Sequence, residues 1–276
     1  MKLLAALSLL ITAAISMAAE PDTAARAPEL VSFPSAGLTL QGWLWKPAGT
    51  GPFPAMLYNH GSEKLPGSFP TLGEFWTGKG YVFFVPHRPG HGRSPGEYIV
   101  DLQDKFREAE KDPEKVQHCV ISLHERFNAD VLNALAWIRQ QPFVDPGRLV
   151  VSGISYGGIQ TVLTAEKPVK VRAFVAFSPA AMSWRGNPPL RDRLLEAVKH
   201  ATAPVFLLQA KNDYDLGPSQ VLGAELTRKG RPNQVKTYPV FGDAGNPRDG
   251  HGGFAVRGSA VWGADVLQFL DDVMRP

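Results

Sequence analysis

The 276 residues, 44% hydrophobic and 20% charged, suffice for one large domain with a proper core and show no bias toward disorder. Formal net charge is only +3, and the Lys and Arg residues are scattered rather than gathered in a stripe, which excludes a nucleic-acid footprint. A lone cysteine, Cys119, rules out an intramolecular disulfide, and repeats, heptads and low-complexity tracts are absent.

The chain opens MKLLAALSLLITAAISMAAE, with Lys2 as a basic start, an apolar run from Leu3 to Ala14 and the small-residue site Ser16-Met17-Ala18. This has the form of a secretory signal peptide over 1–18, and it predicts a secreted or periplasmic protein whose residues 19–276 form a single α/β domain. The run is shorter than the ~18 residues that cross a bilayer, so no stable membrane insertion is expected.

Leu30 to Phe33 and Leu38 to Trp45 alternate as an opening hairpin turned at Ser35-Ala36-Gly37. Pro52 to Asn59 is the next strand and ends in Asn59-His60-Gly61-Ser62. A helix over Phe69 to Lys79 leads to the apolar strand Tyr81 to Pro86, and the loop HRPGHGRSPG that follows is too rich in Gly and Pro to be regular. Residues 101–141 are helical in pattern with a break at Asp112-Pro113. Beyond them, strands over Val171 to Phe177, Pro204 to Ala210 and Gln234 to Val240 alternate with helices over Leu190 to Lys199, Pro218 to Lys229 and Ala260 to Val273. That alternation predicts a mostly parallel sheet with helices on both faces and a small helical insertion near 97–125.

The chain is organised around RLVVSGISYGGIQTVLTAEKP, residues 148–168, which reads as a buried strand, a glycine-pinched turn and a helix. Gly153-Ile154-Ser155-Tyr156-Gly157 places Ser155 where a strained backbone presents a hydroxyl at a helix N-terminus. A second GxSxG, at Gly92 to Gly96, fails on chemistry. The oxyanion hole of such a turn uses the N–H after the serine, and Pro95 has none.

A serine hydroxyl needs a base, and the base needs a carboxylate. Only His200 and His251 follow the turn, and His200 suits the end of a helix. His251, in RDGHGG after the last strand, is expected on a mobile glycine-flanked loop as the general base. Asp213 is the first carboxylate past the strand ending LLQA and is expected to orient it, with Asp215 as its rival. The N–H of Tyr156 and that of Ser62, after His60-Gly61, are the expected oxyanion donors. Trp184 is the candidate pocket wall. His87 and His91 lack acidic or cysteine companions, so no metal site is expected, and the absence of phosphate-binding or dinucleotide motifs points to no cofactor.

Taken in order, YNHGS, HRPGHGRSPG, GISYGG, LLQAKNDYD and GHGGF make the chain resemble an α/β-hydrolase of the dienelactone-hydrolase-like group from about Leu38 onward. The resemblance implies the α/β-hydrolase fold and hydrolysis through an acyl-enzyme, with a small-molecule ester and water as the only partners. Enzymes that name the group use cysteine where this chain has Ser155, so dienelactones themselves are not implied. GISYGG also resembles the turn of prolyl-oligopeptidase-like serine peptidases, which carry a propeller for which this chain has no room. An aminopeptidase or amidase on the same triad, and an idle fold that only binds, are the alternatives. With a short connection between Ser178 and Pro189, the pocket is expected to be shallow and to favour short acyl groups.

Overall fold

The computed structural model describes residues 27–275, and the expected signal peptide lies outside them. The strands β1 (Glu29–Ser35) and β2 (Leu38–Trp45) form the opening antiparallel hairpin. They are followed by β3 (Phe53–Asn59), β4 (Val82–Pro86), β5 (Val144–Ile154), β6 (Ala173–Phe177), β7 (Val205–Ala210) and β8 (Asn233–Tyr238). All eight share one sheet in the order β1-β2-β4-β3-β5-β6-β7-β8, antiparallel as far as the β2/β4 pair and parallel from β4 to β8. Every residue of β4, β6 and β7 is buried, as sequences without alternation such as VFFVP and AFVAF require when helices cover both sides.

Those helices divide into two layers. One comprises α3 (Pro113–Arg139), α4 (Tyr156–Ala165), α5 (Pro188–Lys199) and α6 (Gly217–Arg228), which bury Leu135, Val162, Leu194 and Leu222 in one hydrophobic cluster. The other comprises α1 (Pro70–Gly78), α7 (Phe254–Arg257) and α8 (Ser259–Met274), with Trp76, Phe254 and Trp262 in a second cluster across the sheet. The predicted break at Asp112-Pro113 separates α2 (Ile99–Ala109) from α3. Asp112 caps α3 by accepting the Glu114 N–H at 3.0 Å, and Pro113 takes the first helical position, where no N–H is needed.

His251 departs from expectation. Asp249–Gly253 is not a free loop but a single π-helical turn that runs directly into α7, and His251 within it is buried. Gly250 permits this docking: a Cβ there would stand 2.6 Å from the carbonyl carbon of Asn212, so only glycine lets the turn lie against the end of β7. No helix among the described residues is long and apolar enough to cross a membrane.

Candidate active site

Parallel strands deliver their C-terminal ends to one edge of the sheet, and β3, β5 and β7 each bring chemistry there. At the end of β5, Ser155 has φ 58° and ψ −114°, a conformation costly for a residue with a side chain. The surroundings enforce it. Ser155 N–H donates to the Phe177 carbonyl at 3.1 Å, while a Cβ on Gly157 would stand 1.9 Å from the Asn59 carbonyl oxygen. Asn59 in turn donates from Nδ2 to the Ser152 carbonyl at 3.1 Å, fastening β3 to the turn. Ser155 therefore sits at the start of α4 with the orphan N–H groups of that helix beside it. Ser94 does other work: it accepts the Gln41 N–H at 2.9 Å and donates to the His87 carbonyl at 2.9 Å, pinning its loop to β2.

Two strands away, His251 Nδ1 lies 2.8 Å from Asp213 Oδ1, and the Asp213 side chain is fully enclosed. Asp213 is oriented by the Tyr214 N–H on Oδ1 at 2.7 Å and by Gln209 Nε2 on Oδ2 at 2.7 Å. A carboxylate so held keeps the histidine proton on Nδ1 and frees Nε2 as a base, and Nε2 is buried with no hydrogen-bond partner among the described residues. Asp215 is engaged elsewhere, paired with Arg185 at 2.7 Å and accepting the Gly217 N–H at the start of α6. His200 ends α5 on the surface, 3.0 Å from Glu196.

The strand-ending loop after β3 is held from below by Arg88, a group that composition alone does not single out. Arg88 is only 3% exposed, yet no carboxylate lies within ion-pairing distance among the described residues. Its Nη1 donates to the His60 carbonyl at 3.0 Å, and its Nη2 donates to the Gly61 carbonyl and lies 3.0 Å from His60 Nδ1. Its charged face rests on the Tyr156 ring at 4.5 Å. His60 Nδ1 thus stands between a donor, Arg88 Nη2 at 3.0 Å, and an acceptor, the Gly61 carbonyl at 2.9 Å. Two carbonyls fixed below the chain leave the next amide, Ser62 N–H, without an acceptor among the described residues. Around Arg88 stand His60, His87, His91 and His124, all buried. Burial, reinforced by the Arg88 charge, holds His91 and His124 down at about 3, and burial holds His87 at about 4. The same causes keep His60 well below the ordinary histidine range, and burial brings Arg88 down to about 10. Among the described residues no three His, Cys, Asp or Glu side chains are placed to hold a metal ion.

Ser62, Ser155 and Tyr156 line a cavity of about 730 Å³. It is not shallow. Ile99, Val100, Gln103 and Arg107 recur along one stripe of α2 and face it, with Glu110 just past the helix end, and an eleven-residue helix is about 16 Å long. Pro113, Val116, Val120 and His124 of α3 form the opposite wall, with Ile159 and Leu190 between. Trp184 is not among the lining residues: it is buried in the core, with its indole Nε1 2.6 Å from where a Cβ on Gly217 would stand. Its neighbours Met182 and Ser183 face the cavity instead. A tryptophan in a loop after a strand reads alike whether it covers the core or lines a pocket, and only packing tells them apart.

A strand order reversing beside a sharp strand-serine-helix turn, with an acid and a histidine supplied from later strand ends, defines an α/β-hydrolase. The chain belongs to the X-Pro dipeptidyl-peptidase (S15) family, which matches residues 36–192. Among curated proteins it is 26% identical over 218 residues to the polyketide transferase grgF of a Penicillium species, a match covering 73% of this chain and 66% of the transferase. Among solved structures, an acylaminoacyl peptidase of Pyrococcus horikoshii superposes with a TM-score of 0.64 at 19% identity, over 89% of this chain and 41% of that one. The chain thus corresponds to about two fifths of that peptidase. A Pyrococcus furiosus esterase gives 0.65 at 16% identity, covering 90% of this chain and 94% of the esterase. A dienelactone hydrolase homologue from Klebsiella pneumoniae gives 0.55 at 18% identity, over 78% of this chain and 86% of its own. These likenesses in structure establish the fold.

Proposed function

We propose that the protein hydrolyses small carboxylic esters, with Ser155 as nucleophile, His251 as general base and then acid, and Asp213 orienting the histidine. The observation that carries this reading is the enclosed Asp213–His251 pair at 2.8 Å, with Nε2 unpartnered, at the same sheet edge as the strained Ser155. Ser155 Oγ bonds to the acyl carbon while Nε2 takes its proton, and the oxyanion forms against the N–H groups of Tyr156 and Ser62. The C–O bond to the alcohol breaks as Nε2 returns the proton to it. Water, deprotonated by the same nitrogen, then releases the acid and regenerates Ser155.

Ile99, Val100, Val120, Ile159 and Leu190 give the cavity apolar wall for an acyl group, interspersed with polar and charged residues such as Gln103, Arg107 and Lys111. The size of the cavity removes the reason for a steep cut-off at short chains. A second reading, cleavage of aminoacyl amides, rests on Glu63, a carboxylate close enough to interact with His251 and Arg88, where a substrate ammonium would be attracted. Fluorophosphonate labelling of Ser155, followed by kcat/KM for aryl esters of rising chain length beside dipeptidyl amides, tests both. A dipeptidyl amide that outpaces every ester makes the enzyme a peptidase. We further propose that the protein is exported.

A further inference from the structure

The cavity wall closest to Tyr156 contains a polar group that the triad does not use. His124 is 3% exposed, lines the cavity, and tilts its ring against that of Tyr156 at 4.5 Å between centroids. Its Nδ1 is buried without a hydrogen-bond partner among the described residues, whereas Nε2 is not among the buried unpartnered atoms. The backbone carbonyl of His124 is already taken by Gln160 Nε2 at 3.0 Å, so the helix is anchored while the ring is left unmatched. An unpaired polar ring in such a wall costs stability. Ile99, Val120 and Ile159 line the same cavity, and the Tyr156 ring lies between His124 and the Arg88 guanidinium, which rests on that ring at 4.5 Å.

The antiparallel course of α2 and α3 orders the cavity. Ile99 begins α2 and His124 lies within α3 at the Tyr156 end, whereas Glu110 and Pro113 flank the turn that joins the helices. An acyl group attached to Ser155 would therefore pass His124 first and extend toward Arg107 and Lys111.

We infer that this protein selects extended acyl groups bearing a hydroxyl or keto oxygen near the carbonyl end, and that His124 is the specificity residue that reads that oxygen. The inference rests on the acyl-enzyme reading above. With Nδ1 buried, the ring meets a substrate through Nε2, which as N–H donates to a hydroxyl or a ketone and as a bare nitrogen accepts from a hydroxyl.

The test compares aryl decanoate with its 3-, 4- and 5-hydroxy and 3-, 4- and 5-oxo counterparts on the full chain. At least one oxygenated ester should exceed the parent in kcat/KM by on the order of tenfold. In His124→Phe, which keeps the ring against Tyr156, that ratio should fall to about one, and His124→Gln, which retains a donor and an acceptor, should recover part of it. His118→Phe, an exposed α3 position outside the cavity, is the control and should leave the ratio unchanged. The inference is overturned if the parent ester is the best substrate of the wild type, or if His124→Phe keeps the wild-type ratio. Failure of the acyl-enzyme reading looks different: no ester is turned over and Ser155 takes up no fluorophosphonate.

Discussion

Acid should unfold this protein abruptly, because a set of buried imidazoles must charge before the chain can meet protons on equal terms with solvent. In the unfolded chain each histidine titrates near 6.5, whereas in the native state His87 is held at about 4 and His91 and His124 at about 3. Between these limits the unfolded state binds more protons, so stability is complete above about pH 6.5 and is lost as pH falls toward the native values. Each proton taken up only by the unfolded chain costs about 1.4 kcal/mol per pH unit. From pH 6.5 to 5.0, where the unfolded histidines fill and the native ones do not, each contributes about 1.6 kcal/mol, and the three together about 5 kcal/mol. This is comparable with the whole stability of many domains. His60, also pushed down by burial, adds in the same sense, while Glu63 and Asp130, raised by burial, oppose it in part. Urea titrations followed by tryptophan fluorescence at pH 7.5, 6.5, 5.5 and 5.0 measure the loss. In His124→Phe the dependence should shrink by about a third. A stability that changes by less than about 1 kcal/mol between pH 6.5 and 5.0 would refute the assignment of these rings as buried and neutral.

Ser155→Ala should lower kcat by on the order of 10⁴- to 10⁶-fold, whereas Ser94→Ala, which loses only two loop hydrogen bonds, should keep turnover and lose about 1–2 kcal/mol of stability; steady-state kinetics and urea melts separate the two. Asp213→Asn should cost on the order of 10⁴-fold in kcat, while Asp215→Asn, which weakens an Arg185 pair and a helix start, should cost less than about tenfold; the reverse ranking would move the acid. Arg88→Met should lower kcat on the order of 10- to 100-fold with little change in KM, since it frees the His60 and Gly61 carbonyls that aim the Ser62 amide; kcat within twofold of wild type would show that the loop holds itself. N-terminal sequencing of exported protein should begin near Ala19, and an intact Met1 would contradict the proposed processing.

The sheet was legible because its strands are apolar runs separated by helices, and each predicted strand lies within a residue or two of its place in the structure except β5, which begins at Val144, four residues before the expected start at Arg148. Ser155 was legible because the turn leaves a local signature, and Asp213 because strand ends collect chemistry. The structure adds the reason that Asp215 is the weaker choice, its pairing with Arg185. What was hidden depends on contacts between distant segments. The docking of the His251 turn against Asn212, the inward course of Trp184 and the placement of Arg88 beneath His60 join residues many positions apart. The cavity was hidden for the same reason: α2 has a wall-like stripe only once α3 folds back along it.

The insertion of α2 against α3 has its own small apolar cluster, Ile99, Leu102, Leu123 and Phe127, which meets the catalytic edge through Tyr156. About half of the residues that line the cavity thus belong to a unit seated beside the sheet, and the sheet edge itself holds Ser155 and the Asp213–His251 pair. Mutational drift in that unit can redraw the chamber without retuning the machinery of proton transfer. For engineering, this makes 99–124 an exchangeable cassette: grafting the corresponding helices of another hydrolase should import a new substrate range onto an unchanged catalytic chassis, provided the graft keeps a partner for the Tyr156 ring.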